Sequence, residues 1–252
     1  MGIYFYIFIF LIGLSAGSFF NVIIFRFNTR KGIVKGRSEC LNCGSIIRWF
    51  DLIPILSYFI LRGRCRECRK KISLLYPVVE ISTAITLLLL FLNTPNVSHL
   101  TALSAFIILL LILVIFLDVR YFIIPDRILA LSAIAAVGLK LLTDATDFSY
   151  LLISALGLTS FFAILYIISK GRWIGFGDIK LIFLIGFLLG YPMGYLSIVA
   201  AVWIATMFSI ALLVTKRATI KTEIPFGAFL SATTIIFIIY DHELQEIAKY
   251  FQ

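Results

Sequence analysis

The sequence predicts an all-α, polytopic membrane helix bundle of about eight spans, carrying one small cysteine-rich loop domain on the cytoplasmic side. Three observations lead there. The 252-residue chain is 62% hydrophobic with a mean hydropathy of +1.07, whereas soluble domains are roughly half apolar. Only 14% of its residues are charged, against about 25% in a soluble domain, so the apolar excess must face lipid. The positive charges are also grouped between long apolar runs rather than spread along the chain.

The first run covers residues 3–25 with no basic residue before it, and Arg26, Arg30 and Lys31 follow. A cleavable secretory leader has the reverse order, and about 20 residues suffice to cross the bilayer core. The run therefore reads as a permanent first helix with its N-terminus outside. Further runs follow at 77–92, 100–117, 128–142 and 150–169. The stretch 179–215, whose single charge is Lys180, is too long for one helix. It is expected to break near Tyr191-Pro192-Met193-Gly194. A last run covers 224–240.

With the N-terminus outside, the inter-helix segments 26–76, 119–127, 170–180 and 216–223 fall inside. They hold 20 of the 22 Lys and Arg, leaving only Lys140 and Lys249 on or near the outer side. This is the positive-inside bias, and it places both termini outside in a multi-pass membrane protein. The net charge of +9 then reflects topology and attraction to lipid headgroups rather than nucleic-acid binding. The expected organisation is a first transmembrane helix at 1–26, a cysteine-rich loop domain at 27–76 and a transmembrane core at 77–252. Within the loop, Leu52-Ile53-Pro54-Ile55-Leu56-Ser57-Tyr58-Phe59-Ile60-Leu61 is apolar but too short to span. It is expected to lie at the interface or to pack on the helices.

All four cysteines lie in that loop, as Cys40-Leu41-Asn42-Cys43 and Cys65-Arg66-Glu67-Cys68. Two Cys-x-x-Cys knuckles can each clamp one side of a tetrahedral ion, which points to a structural, closed four-thiolate zinc site. Gly44 and a turn containing Gly63 suit tight knuckles. Disulfides do not suit a reducing cytoplasm, and an iron–sulfur cluster is the alternative metal reading.

Catalytic chemistry is narrowed by what the cytoplasmic side lacks. The two histidines, His99 and His242, fall on the outer side, and no His-Glu-x-x-His is present. Acidic residues remain. Asp118 ends the third run, and Asp178 follows Gly175-Phe176-Gly177 at the start of the sixth. Both sit at the cytoplasmic membrane edge, so helix packing can bring them together. Two carboxylates in contact share a proton near neutral pH; one then activates water while the other protonates the amide. The two glycines leave room for an extended peptide to approach. A plainer reading makes Asp178 a helix N-cap and pairs Asp118 with Arg120. Asp126, after Pro125, reads as an N-cap. Glu80, just inside the second run, is either functional or paired with a nearby Arg.

At this point the chain resembles the bacterial type IV prepilin peptidases, membrane aspartyl proteases with a Gly-x-Gly-Asp motif. The resemblance runs in order through Gly17-Ser18-Phe19-Phe20-Asn21-Val22 with Arg26 and the two cysteine knuckles. It continues through Tyr76-Pro77-Val78-Val79-Glu80 and Asp118 with Ile124-Pro125-Asp126. Gly175-Phe176-Gly177-Asp178-Ile179-Lys180 and Ile224-Pro225-Phe226-Gly227 complete it. It implies removal of the short basic leader of prepilins and pseudopilins, of pili or secretion systems, at the cytoplasmic face. Asp118 and Asp178 take the catalytic places, with Gly175, Gly177, Lys180, Glu80, Pro225 and Gly227 as supporting motif residues. It also implies N-methylation of the new terminus with S-adenosylmethionine, since methylating members typically carry the cysteine loop. Ala228 departs from the pattern, standing where many members have proline. The 17–21 motif also reads as a helix-packing surface. The rival functions are an ion-coupled transporter using Asp118, Asp178 and Glu80, and a non-enzymatic scaffold of a pilus or secretion assembly.

Overall fold

The structure is a computed structural model that describes residues 2–27, 29, 36–94, 97–143, 147–219, 222–241 and 243–244. His242 and Lys249, assigned to the outer side by sequence, lie outside the described residues, as do Arg30 and Lys31. The described residues are helical, with no strand beyond two isolated antiparallel bridges. The helices are α1 (Ile3–Arg26), α2 (Leu56–Ile60), α3 (Leu75–Asn93), α4 (His99–Tyr121), α5 (Asp126–Leu142), α6 (Phe148–Ser169), α7 (Phe176–Leu189), α8 (Met193–Val214) and α9 (Phe226–Ile239). A 3-10 turn, Trp49–Leu52, precedes α2.

A helix stands at each of the eight expected apolar runs. Five of them, α1, α3, α4, α6 and α8, are long and apolar enough to cross a membrane. The chain is a multi-pass membrane protein. The other three have 17 (α5), 14 (α7) and 14 (α9) residues. At 1.5 Å per residue a 14-residue helix rises only about 21 Å, short of a core about 30 Å thick. The expected break in 179–215 falls where α7 stops at Gly190, whose φ of +68° favours glycine, immediately before Tyr191-Pro192. The sixth helix starts at Phe176, earlier than the apolar run suggests, and so takes Asp178 into its first turn.

The chain divides into two compact units, Met1–Pro95 and Asn96–Gln252. In the first, α1 and α3 pack through small residues. A Cβ on Gly13 would lie 2.5 Å from the Ala84 Cα, and one on Gly17 would lie 2.6 Å from the Glu80 Cα. Only glycine permits that approach, and in lipid such close packing is what holds helices together. Near the same end Phe25 stacks on Tyr76, with centroids 4.1 Å apart. The expected packing role of the 17–21 motif is thus observed. In the second unit Gly186 of α7 lies against Ala155 of α6, where a Cβ would meet the Ala155 Cα at 2.7 Å. Ser197 of α8 hydrogen-bonds Thr233 and Thr234 of α9 at 3.4 and 3.5 Å. Fully buried aliphatics of α4 and α7, among them Leu111, Leu117, Leu181 and Ile185, form the centre.

Candidate active site

The C-terminus of α4 and the N-termini of α5, α7 and α9 converge in the second unit. Asp118 is the last buried residue of α4, only 5% exposed. The helix then ends on Phe122, in the left-handed conformation at φ +55°, whose N–H returns to the Asp118 carbonyl at 2.8 Å. A carboxylate at a helix C-terminus faces the negative end of the dipole. The structure offsets this from a second helix. Gly227 and Ala228 are the second and third residues of α9, and the Ala228 N–H donates to Asp118 Oδ2 at 2.8 Å. The carboxylate thereby satisfies an otherwise unpaired N–H at the positive end of α9. Pro225, at φ −70°, leads the chain into that helix.

Asp178 is the third residue of α7, not its N-cap. Its Oδ2 accepts the Gly175 N–H at 3.2 Å, so it covers its own helix start from inside. The glycines of the motif are explained by neighbours within the chain. A Cβ on Gly175 would sit 3.2 Å from Asp178 Oδ2, and one on Gly177 would sit 3.1 Å from the Ile124 Cβ. Their room is taken up by the protein's own side chains, where the sequence reading reserved it for a peptide.

Gly227 brings the two aspartates together. The point its Cβ would occupy is 3.1 Å from Asp118 Oδ2 and 3.2 Å from Asp178 Oδ1. The two oxygens therefore cannot be further apart than the sum of these distances, with nothing but a glycine hydrogen between them and that point. The same point is 2.5 Å from Ile124 Cδ1, so Ile124 is wedged against the start of both α7 and α9. Asp118 is buried behind, while Asp178 is half-buried beside the exposed Gly175, Phe176 and Trp173. Two carboxylates so placed hold three charge states between them, and the singly protonated one contains both a general base and a general acid.

The other expected residues fall into place around this pair. Asp126 is the first residue of α5 and makes no cap bond; instead its Oδ1 takes Lys180 Nζ at 2.6 Å. Lys180 also lies 4.7 Å from the Phe176 ring centroid. The Arg120 guanidinium donates to the Tyr121 hydroxyl at 3.0 Å. Sequence reading missed Ile124 as a wedge and Ala228 as a donor. The departure from proline at 228 was the available signal, because proline has no N–H to give Asp118.

Glu80 belongs to the first unit and is 7% exposed. Its Oε2 accepts the Ile55 N–H at 2.7 Å, and its Oε1 lies 3.5 Å from Asn21 Nδ2, which also donates to the Tyr76 carbonyl at 3.0 Å. These donors stand where the sequence reading had an arginine. Ile55 sits at φ +61°, ψ −52°, and the Leu56 N–H closes a three-residue turn on the Pro54 carbonyl. That turn is rare and strained for a β-branched residue.

The cysteine loop contains a repeat of backbone bonds that follows the spacing of its two cysteine pairs. The Cys40 N–H bonds the Ser45 carbonyl, the Gly44 N–H bonds the Cys40 carbonyl and the Ile47 N–H bonds the Ser38 carbonyl. The same three bonds recur 25 positions on, from Cys65 to Lys70, Arg69 to Cys65 and Ile72 to Gly63. The left-handed position is Gly44 in the first knuckle (φ +70°) and Arg69 in the second (φ +60°). Gly63, at φ +65°, closes the second knuckle through its carbonyl and also ends α2, its N–H returning to the Tyr58 carbonyl at 2.9 Å. The four sulfurs lie within 4.8 Å of one another, and Cys40 and Cys68 are 3.9 Å apart. Sulfurs at 2.3 Å from a tetrahedral zinc would be about 3.8 Å apart. The four cysteines are unpaired and close enough together to bind one metal ion.

Comparison with known proteins identifies the family. The Bacterial Peptidase A24 N-terminal domain matches residues 11–94, and the Type IV leader peptidase family matches residues 105–210. A prepilin leader peptidase/N-methyltransferase of Bacillus subtilis (strain 168) is 30% identical over 232 residues, covering 92% of this chain and 93% of its own. One from Myxococcus xanthus (strain DK1622) is 32% identical, covering 87% of this chain and 67% of its own. A type 4 prepilin-like proteins leader peptide-processing enzyme of Escherichia coli O78:H11 is 32% identical, covering 87% and 88%. No solved structure matches. With both halves of the chain matched in order and near full-length relatives at this identity, the chain belongs to the type IV leader peptidase family.

Proposed function

We propose that this protein removes the leader peptide of type IV prepilins or pseudopilins, with Asp118 and Asp178 as its proteolytic dyad. The observation that carries the reading is Gly227, whose missing side chain leaves both carboxylate oxygens facing one small space. In the singly protonated pair, the ionised carboxylate takes a proton from a water whose oxygen attacks the scissile carbonyl. The protonated carboxyl hydrogen-bonds the developing oxyanion. Collapse of the tetrahedral intermediate breaks the C–N bond, and a carboxyl proton goes to the departing amine. The Gly175 and Ala228 N–H groups hold one oxygen of each aspartate, so the pair is oriented before substrate arrives.

The positive-inside pattern supports placing this edge of the bundle at the cytoplasmic face of the inner membrane, with α5, α7 and α9 completing eight crossings. The catalytic atoms then fall within the expected core at 77–252. Cys40, Cys43, Cys65 and Cys68 would hold one Zn2+ in a closed site with no position left for a reactant, so its role is to fold the 27–76 module. The names of the relatives support a second, N-methyltransferase activity; the family resemblance implies S-adenosylmethionine as its methyl donor and the new N-terminal amine as its acceptor.

The test is mass spectrometry of a prepilin incubated with membranes containing each variant at matched levels. Asp118→Asn and Asp178→Asn should each lower cleavage by about 10⁴-fold or more, and the double variant should lose no more than either alone. Mature product from wild type should be methylated when S-adenosylmethionine is supplied. Wild-type cleavage by either Asn variant removes the dyad and leaves the scaffold reading in front.

A further inference from the structure

We propose that residues 49–60 form a membrane-inserted foot of the cysteine module. The foot would be seated in the anionic headgroup and upper acyl layer of the leaflet where α1 ends and α3 begins. The depth follows from one hydrogen bond. The Ile55 N–H reaches Glu80 Oε2 at 2.7 Å, and Glu80 is five residues inside α3. In a helix the side chain leans toward the N-terminus, and the Glu80 carboxylate reaches back to Asn21 beside the Tyr76 carbonyl, so Ile55 is held at the level of the first turn of α3. Asn21, which touches the same carboxylate, also donates to the carbonyl of Tyr76, the second residue of α3, so both contacts place the segment at the level of that helix's first turn.

At that depth the segment turns apolar side chains outward. Phe59 and Ile60 of α2 are 68% and 64% exposed, Trp49 is 79% exposed, and Leu52, Ile53 and Leu56 are exposed as well. These six exposed large apolar side chains within twelve residues are a liability in water. Beside two membrane-crossing helices, and held at the level of the first turn of α3, they meet lipid. The surroundings match an anionic surface. Arg48 and Arg62 border the segment, and Arg64, Lys70 and Lys71 follow, all exposed. The nearby acids are already engaged, Asp51 by Arg66 at 2.6 and 2.9 Å and Glu67 by Arg48 at 3.9 Å. The rim therefore presents net positive charge, which anionic headgroups attract. Arg66 lies between Cys65 and Cys68, so its two bonds to Asp51 also tie the foot to the second knuckle. An apolar face with a basic border and a tryptophan is the pattern of segments that lie in a membrane surface.

This inference goes beyond the peptidase reading and fails separately from it. Full-length protein with Trp49 as its only tryptophan (Trp173→Phe, Trp203→Phe) is reconstituted into phosphatidylglycerol-containing vesicles. Their acyl chains are brominated near the headgroup. Trp49 emission should fall by about half relative to unbrominated vesicles, as expected for an aromatic ring at this level. Adding Trp49→Phe and Phe59→Trp should leave the probe quenched by the same lipid. Emission that ignores the brominated lipid and is quenched by aqueous iodide overturns the proposal. Quenching that appears only after a pilin-like apolar peptide is added overturns it too, and makes the face a protein-docking surface. The unmutated protein gives an independent reading with a lipid carrying a diazirine close to its headgroup. Adducts should map to 49–60; labelling of α1 and α3 with none in the segment overturns the proposal.

Discussion

Glu80 in the first unit and the Asp118–Asp178 pair in the second are carboxylates withdrawn from water near helix ends, yet their surroundings differ. Glu80 has each oxygen answered by its own chain, one by the Ile55 N–H and one by the Asn21 amide. Asp118 and Asp178 each have one oxygen held by a backbone N–H, and each presents an oxygen to the same gap beside Gly227. Burial makes a carboxylate expensive in both places. What separates a fastening from a reactive centre is the neighbour: donors that satisfy the charge, or a second carboxylate that competes for the proton. Glu80 is thereby a positioning residue for the cysteine module, and the aspartates are the candidates for chemistry.

If that contrast is right, damage to each region appears in a different readout. The largest effect is expected from Cys65→Ser, which leaves three thiolates where a closed site needs four. Purified protein should fall from about one zinc per chain to well below it, and proteolysis of 27–76 should rise steeply, since structural zinc contributes on the order of 10 kcal/mol of folding free energy. Wild-type protein that carries no metal and resists proteolysis equally would end the zinc reading. Next is Gly227→Ala. Its Cβ must displace Ile124 Cδ1 and push into both carboxylates, so cleavage should drop by about 100-fold with the protein still folded. Cleavage within a factor of two of wild type would show that the gap beside Gly227 is not where the reaction occurs.

A smaller effect is expected from Glu80→Ala. It orphans the Ile55 N–H and releases a strained turn, costing about 1–3 kcal/mol. The loss should be read as faster hydrogen exchange in 53–61, with the dyad's pH profile for cleavage unchanged in shape. A changed profile would place Glu80 in the chemistry and erase the contrast. The smallest effect is expected from Asp126→Asn. Its partner Lys180 and Asp126 itself are solvent-accessible, so the ion pair is worth about 0–1 kcal/mol. Prepilin cleavage at matched expression should stay within a few-fold of wild type; total loss would add Asp126 to the machinery.

Legibility in the sequence followed the range of the interactions involved. The helices at the eight apolar runs were legible because an apolar run is a local property, and five of them are long enough to cross a membrane. Asp118 and Asp178 were legible because the basic segments put both at one depth. The Gly44 turn was legible because a glycine after a Cys-x-x-Cys is a local signal. Its counterpart was not, because the second knuckle puts Arg69 in the left-handed position and no residue type marks it. Asp126 looked like a cap because Pro-Asp commonly starts a helix, whereas its partner Lys180 lies 54 residues away.

Composition and charge order alone determined that this chain is a membrane helix bundle with a cysteine module on its basic side. Hydropathy and positive-inside sorting act on each segment independently of the rest. Tertiary structure alone decided that Gly227 leaves the gap between the aspartates, that Ala228 N–H answers Asp118, and that Glu80 fastens Ile55. Each of these joins residues distant in sequence, Asp118 and Ala228 by 110 positions, and only helix packing brings such atoms within hydrogen-bonding distance.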